Sequence, residues 1–276
     1  MAEVLIAALK RIEKYKETAP YFNELFDILG EILILREEYR DKMGKITFPI
    51  EERLIPQKLA GGLPLLDLAA GGFDLTLPEE YFLRLIEIAK KKFPEEMEMY
   101  KREINYEELL FSTFSRDERD GEEDEEMLED MEDSFDLLGM LAEESLRPAL
   151  EHFATRFRDA IQKYGWQEGY CPICGKEPKI GKITGAEGKR FLFCNQCGFE
   201  WNYDRIKCPF CGNEEQHSLA YFTIEGEEKY RVDVCNECNR YVKIVDVRKF
   251  PEEPSLDVED IATLHLDILA AEEGYE

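Results

Sequence analysis

The sequence predicts a multi-domain α+β architecture: an N-terminal all-α helical domain, two tandem small β metal-ribbon modules and a C-terminal helix. Three observations predict it. Apolar residues recur at helical spacing through about residue 166. All eight cysteines then fall in four CxxC pairs between Cys171 and Cys238, inside two copies of one internal repeat. After Pro254 a short segment again shows helical apolar spacing. The segments divide at 1–167, 168–205, 206–250 and 251–276.

In the first segment, Leu5, Leu9 and Ile12 share a helical stripe that stops before Pro20. From Tyr21, the residues Phe22, Leu25, Phe26, Leu29, Ile32 and Leu33 form the stripe of a buried helix ending between Asp41 and Gly44. The stretch from Phe48 to Pro78 has paired glycines and spaced prolines, the composition of an irregular connection wrapped on a core. Helices resume over Pro78 to Lys91, with Tyr81, Leu83, Leu85 and Ile86 among their apolar residues. They continue over Asn105 to Phe114 and Met131 to Tyr164. Between the last two, Asp117 to Asp133 is dominated by acid and reads as a solvated segment, with a docking tail for a basic partner as the alternative.

The cysteine region reads as a repeat. CPICG (Cys171 to Gly175) and CPFCG (Cys208 to Gly212) each open a copy, followed by a strand, a glycine-containing turn, a return strand, a second CxxC and a third strand. Alternation places Phe191 with Phe193, and Val232 with Val234, on common strand faces. Two cysteines separated by two residues aim both sulfurs at one ion, and two such knuckles complete a tetrahedron. The repeat pairs them sequentially: Cys171, Cys174, Cys194 and Cys197 in one site, Cys208, Cys211, Cys235 and Cys238 in the other. Ribbons this short have little core, so metal binding supplies folding free energy. Two metal ions are expected, each held by four cysteines. Zinc or a single iron suits such a donor set, and the spacing does not choose between them. A closed four-thiolate site keeps no position open for substrate.

Composition narrows the partners. The net charge is −26, which repels phosphate backbones and anionic lipid, so neither nucleic acid nor membrane is an expected partner. Residues 168–248 hold 12 Lys/Arg against 13 Asp/Glu, so the excess acid lies in the flanks. No run is long and apolar enough to span a bilayer, no secretory signal is read at the N-terminus, and paired cysteines suit a reducing compartment; the cytoplasm is the expected location.

No catalytic motif is found, and the chain is not expected to be an enzyme. His152 in a helix, His217 in the first strand of the second ribbon and His265 on the terminal helix lack metal-ligand spacing. Near the ribbon junction, Trp201, Arg205, Tyr230, Arg231 and Asp233 suggest an Arg–Asp pair and an aromatic packing the ribbons together, or else a recognition surface. On the terminal segment, Ile261, Leu264, Ile268 and Leu269 mark the apolar face of one helix. Asp257, Glu259 and Asp260 lie in its first turn.

The segments CGFEWNYDRIKCPFCG, YRVDVCNECNRYVKIVD and DVEDIATLHLDILAAEEGY together resemble the formate dehydrogenase accessory protein FdhE family. The resemblance is close over residues 168–276 and looser over YFNELFDILGEIL and GLPLLDL; the acidic Asp117 to Asp133 insert is not a family feature. It implies a helical domain followed by two rubredoxin-like modules whose metal cysteines fall on all eight named above. It also implies a non-catalytic cytoplasmic maturation factor, binding the catalytic subunit of a molybdenum- or tungsten-containing formate dehydrogenase. The competing readings are a zinc-ribbon nucleic-acid or transcription-associated protein, which needs a basic face, and a rubredoxin-type electron-transfer protein.

Overall fold

The computed structural model describes residues 2–99, 104–115, 137–250 and 253–276. The helical part holds α1 (Ala2–Thr18), α2 (Asn23–Met43), a short α3 (Ile55–Ala60), α4 (Thr76–Lys92), a short α5 (Pro94–Met99), α6 (Tyr106–Ser115) and α7 (Leu137–Tyr164). Helix α1 stops before Pro20, as its sequence requires, and α2 ends at Gly44. The connection from Phe48 to Pro78 is less irregular than its glycines and prolines suggest, because it carries α3. It does wrap the core, burying Phe48, Ile55, Leu59, Leu65, Leu66 and Leu68. In α4, Tyr81, Leu85 and Ile86 are buried but Leu83 faces solvent at 58% exposure; it falls on the opposite side of the helical wheel from Tyr81 and Leu85. Both Met131, the expected start of the long helix, and the acidic Asp117 to Asp133 segment lie outside the described residues.

The cysteine region forms one sheet from both repeats. The first contributes β1 (Ile180–Thr184), β2 (Lys189–Phe193) and β3 (Glu200–Asn202), the second β4 (Leu219–Phe222), β5 (Tyr230–Cys235) and β6 (Arg240–Asp246). The order is β3-β2-β1-β6-β5-β4. Neighbours within each repeat are antiparallel, whereas β1 and β6 join the repeats in parallel, with Ile180 opposite Lys243 and Ile183 opposite Asp246.

After the sheet, the predicted single C-terminal helix is two: α8 (Leu256–Ala262) and α9 (Leu264–Glu272). They break at Thr263, whose hydroxyl donates to the Glu259 carbonyl at 2.7 Å and whose φ of −112° leaves the helical range. The break changes which face is buried. Leu256, Val258, Ala262, Leu266 and Ala270 are covered, while Ile268, expected inside, is 60% exposed.

Both helices pack on the sheet face bearing Ile180, Phe193, Val232, Val234 and Val245. Buried Lys243 reaches across from that face to Asp260 and Asp267, each at 2.7 Å. Helices α1, α2 and α8 share a small core of Ala8, Ile12, Phe26, Leu33 and Val258. The largest core is continuous from Leu35 through α4 and α7 to Trp166, Ile173, Leu192 and Ile244, so helical part and sheet bury one surface together.

Candidate metal centres

Each knuckle is a turn whose second cysteine is followed by a left-handed residue. Gly175, Gly198 and Gly212 have φ of 80°, 69° and 73°, and Asn239 takes the fourth position at 54°. Glycine enters this region without a Cβ clash, and asparagine is among the few residues that tolerate it. The turn lets the Ile173 and Phe210 amides donate to Cys171 and Cys208 sulfur, both at 3.4 Å.

The eight sulfurs gather into two groups, Cys171/Cys174/Cys194/Cys197 and Cys208/Cys211/Cys235/Cys238, with all four atoms of a group within 4.8 Å of one another. In the first, Cys171–Cys197 and Cys174–Cys194 stand 3.4 and 3.5 Å apart; in the second, Cys208–Cys238 and Cys211–Cys235 are both 3.7 Å. A disulfide would need ~2.05 Å. A tetrahedron with metal–sulfur bonds of about 2.3 Å has edges of ~3.8 Å, so the donors fit one ion of zinc or iron size per group.

Crowding sets the thiols against one another. Burial pushes Cys171 and Cys197 well up. Burial opposes ionisation of Cys194 too, but hydrogen bonds from Cys171, Cys174 and Cys197 drive it well below the ordinary thiol range. Cys235 is brought down to about 7 against its own burial by the Cys238 and Glu237 amides and the Asn213 side chain. Each group thus readily yields one thiolate and resists yielding four. A bound cation makes the fully ionised set favourable.

The surroundings differ. In the first group only Cys174 reaches partial exposure, and the helical part covers the rest. The Leu65 and Leu66 amides donate to the Pro172 and Ile173 carbonyls at 2.9 Å, and Gln196 donates to the Glu143 carbonyl at 2.8 Å. Buried Arg147 of α7 donates to the Cys194 and Asn195 carbonyls and pairs with Glu151 at 2.8 Å and Asp257 at 3.2 Å. In the second group Cys211 is exposed and Cys238 half-buried.

Of the junction residues, Arg231 and Asp233 pair at 2.8 Å, and Trp201 is buried with its indole donating to the Glu168 carbonyl. Tyr230 lies on the opposite face, donating to Glu259 at 2.7 Å beside Tyr15. Sequence reasoning missed Arg190. It is buried on β2, pairs with Asp233 at 3.3 Å and donates to the Asp204 and Lys207 carbonyls, fastening the inter-ribbon loop to the sheet. Alternation of β2 was its signal, since it places Arg190 on the same face as core residue Leu192. None of the three histidines belongs to either group of sulfurs. His152 is on α7, His217 lies in a turn before β4 rather than in the strand, and His265 of α9 meets Glu227 at 2.8 Å.

Residues 170–205 match the model of the FdhE central domain and 206–276 that of the FdhE C-terminal domain. An Aquifex aeolicus protein described as an FdhE homolog is 31% identical over 279 aligned positions, spanning 97% of this chain and 91% of that one. The chain belongs to the FdhE family. Escherichia coli FdhE is 35% identical over 119 residues, covering 42% of this chain and 38% of that protein. The crystal structure of the FdhE protein from Pseudomonas aeruginosa superposes with a TM-score of 0.65 at 21% identity, over all of this chain and 93% of that one. That likeness is one of fold, which the helical part, six-stranded sheet and terminal helices of this FdhE member share. Family membership makes it a formate dehydrogenase accessory protein, with two four-cysteine clusters able to hold metal. No helix among the described residues is long and apolar enough to cross a membrane.

Proposed function

We propose that this chain is a non-catalytic, cytoplasmic maturation factor that binds the catalytic subunit of a molybdenum- or tungsten-containing formate dehydrogenase. Each four-cysteine group holds one zinc or iron ion in this reading, with all eight cysteines as ligands. The observation that carries the reading is FdhE kinship along nearly the whole chain, at 31% identity over 97% of it. The site chemistry agrees. Four thiolates saturate a tetrahedral ion, which then has no vacant position for a substrate, so the ions serve the fold rather than a reaction. Thiols of this kind stay reduced in the cytoplasm.

The test is affinity capture of the tagged protein from its own cells with nuclease treatment, read by mass spectrometry, alongside metal analysis. Recovery of a molybdenum- or tungsten-dependent formate dehydrogenase subunit is expected. Recovery of polymerase or ribosome without that subunit would overturn the reading. Two ions per chain are expected, with a visible absorption band if they are ferric and none if they are zinc.

A further inference from the structure

The sheet face turned away from α8 and α9 opens into a cavity of about 480 Å³ between β4, β5 and the inter-ribbon loop. That volume falls in the range of small-molecule sites, about 300–1,000 Å³. Five cations line it, Arg190, Arg205, Lys207, Arg231 and Arg240, with Asp233 as the one acid. Asp233 is shared by Arg231 and Arg190 at 2.8 and 3.3 Å, Arg240 pairs with Glu177 at 2.5 Å, and Lys207 with Glu214 at 3.3 Å. Five cations and three acids meet here, and Cys208 and Cys235 of the second cysteine group also line the wall, so a four-thiolate centre loaded with a divalent ion, at about −2, offsets the remaining positive charge. Among the described residues no acid is in ion-pairing reach of Arg205, which is exposed at the mouth. The cavity's guanidinium groups line a concave wall, a local field that draws small anions even where the surrounding charge is balanced.

The walls add a second specificity. Guanidinium groups lie over aromatic rings, Arg231 over Tyr221 at 4.9 Å and Arg240 over Phe210 at 3.9 Å. Such pairs hold flat surfaces in place. Tyr221 and Ile206 expose 63% and 55% of their surface at the rim, apolar area that an inorganic anion would leave unused.

We propose that this cavity binds a small phosphorylated molecule bearing a planar ring, a mononucleotide in chemical class. The arginine forks match phosphate oxygens in geometry, and Arg205, with no acid partner among the described residues, is the cation left to meet them. Tyr221 and Ile206 provide the surface for the ring. A nucleic-acid polymer is disfavoured, since its length would meet the acidic flanks. The proposal goes beyond the maturation role and holds whichever protein is the client.

The experiment is calorimetric titration of the full-length protein carrying two ions, with AMP, ribose 5-phosphate and inorganic phosphate in turn. AMP is expected to bind at least tenfold more tightly than either anion, since both lack a planar ring. Arg205→Ala, on an exposed side chain, should weaken AMP about tenfold, and Tyr221→Ala should erase the preference for AMP over ribose 5-phosphate. Arg53→Ala, at a remote exposed site, should change neither. Undetectable AMP binding, equal affinity for all three anions, or binding unmoved by both Arg205→Ala and Tyr221→Ala would overturn the proposal. So would an acidic peptide held along edge strand β4 that AMP fails to displace.

Discussion

Asp257 shows how single residues tie the parts of this protein together. It caps the meeting of α2, α7 and α8, with Arg36 at 3.1 Å and Arg147 at 3.2 Å, and Arg147 in turn holds the carbonyls of the first metal knuckle. Burial pushes the Asp257 carboxyl up, but Arg147 and Arg36 outweigh it and hold the group below the usual carboxylate range. A carboxyl with a lowered native pKa binds its proton more weakly folded than unfolded. Its contribution is therefore present above the unfolded value, about pH 4, and lost as pH falls through the native value. Asp257→Asn removes that contribution and leaves two buried guanidinium groups short of an acid. Glu144 and Glu151 still serve Arg36, so the expected loss at pH 7 is about 2–3 kcal/mol, below the usual cost of breaking a fully buried pair. Urea unfolding of both proteins from pH 7 to pH 3 checks this. The gap should narrow below pH 4, and comparing both proteins with metal removed keeps metal release out of the difference. A gap that stays constant with pH would refute the electrostatic role.

Among the elements, the two cysteine groups share a knuckle design but differ in cover. Cys211 is open to solvent, whereas the first group lies beneath α7 and the Leu65–Leu66 segment. A chelator should strip the second site first, giving two separable phases of metal release. Cys208→Ser should lose one ion and leave far-ultraviolet helicity nearly intact. Cys171→Ser should lose the other ion and also lower the unfolding midpoint of the helical part. Equal release rates, or loss of both ions from either variant, would contradict this picture.

What the sequence revealed about these elements follows the same division between local and distant. CxxC spacing and strand alternation are local, and both were readable; the left-handed Asn239 after the fourth knuckle was not. The parallel pairing of β1 with β6 joins residues more than sixty apart in the chain and left no local trace. The terminal helix was misread for a subtler reason: Ile261, Leu264 and Ile268 fit one helical face only if the axis runs straight, and Thr263 breaks it. Arg190 escaped notice because a buried arginine on a strand has meaning only once Asp233 and the 204–207 loop are placed beside it.

For the molecule as a whole, composition changes at about residue 167, from acidic helices to near-neutral ribbons, yet the buried surface does not change there. Leu65 and Leu66 hydrogen-bond the first knuckle, and Trp166 and Ile173 share a core with Leu85 and Leu150. Family kinship has the same two scales, reaching along nearly the whole Aquifex aeolicus relative but over only 119 residues of Escherichia coli FdhE. A fragment ending at residue 167 would expose the core surface that faces Ile173 and Leu192 and would leave Arg147 without Asp257. Burying apolar area contributes about 25 cal/mol per Å², and a domain's net stability is only about 5–15 kcal/mol, so losing one wall of the core removes a large share of it. The fragment is expected to keep helical circular dichroism, bind a hydrophobic dye and unfold without a sharp transition. Residues 168–276, which keep the whole sheet with α8 and α9, are expected to fold when metal is supplied and to collapse when it is chelated. Sharp unfolding of the 1–167 fragment at the midpoint of the full chain would show that the helical part stands alone, with the ribbons as an appended module rather than one wall of a shared core.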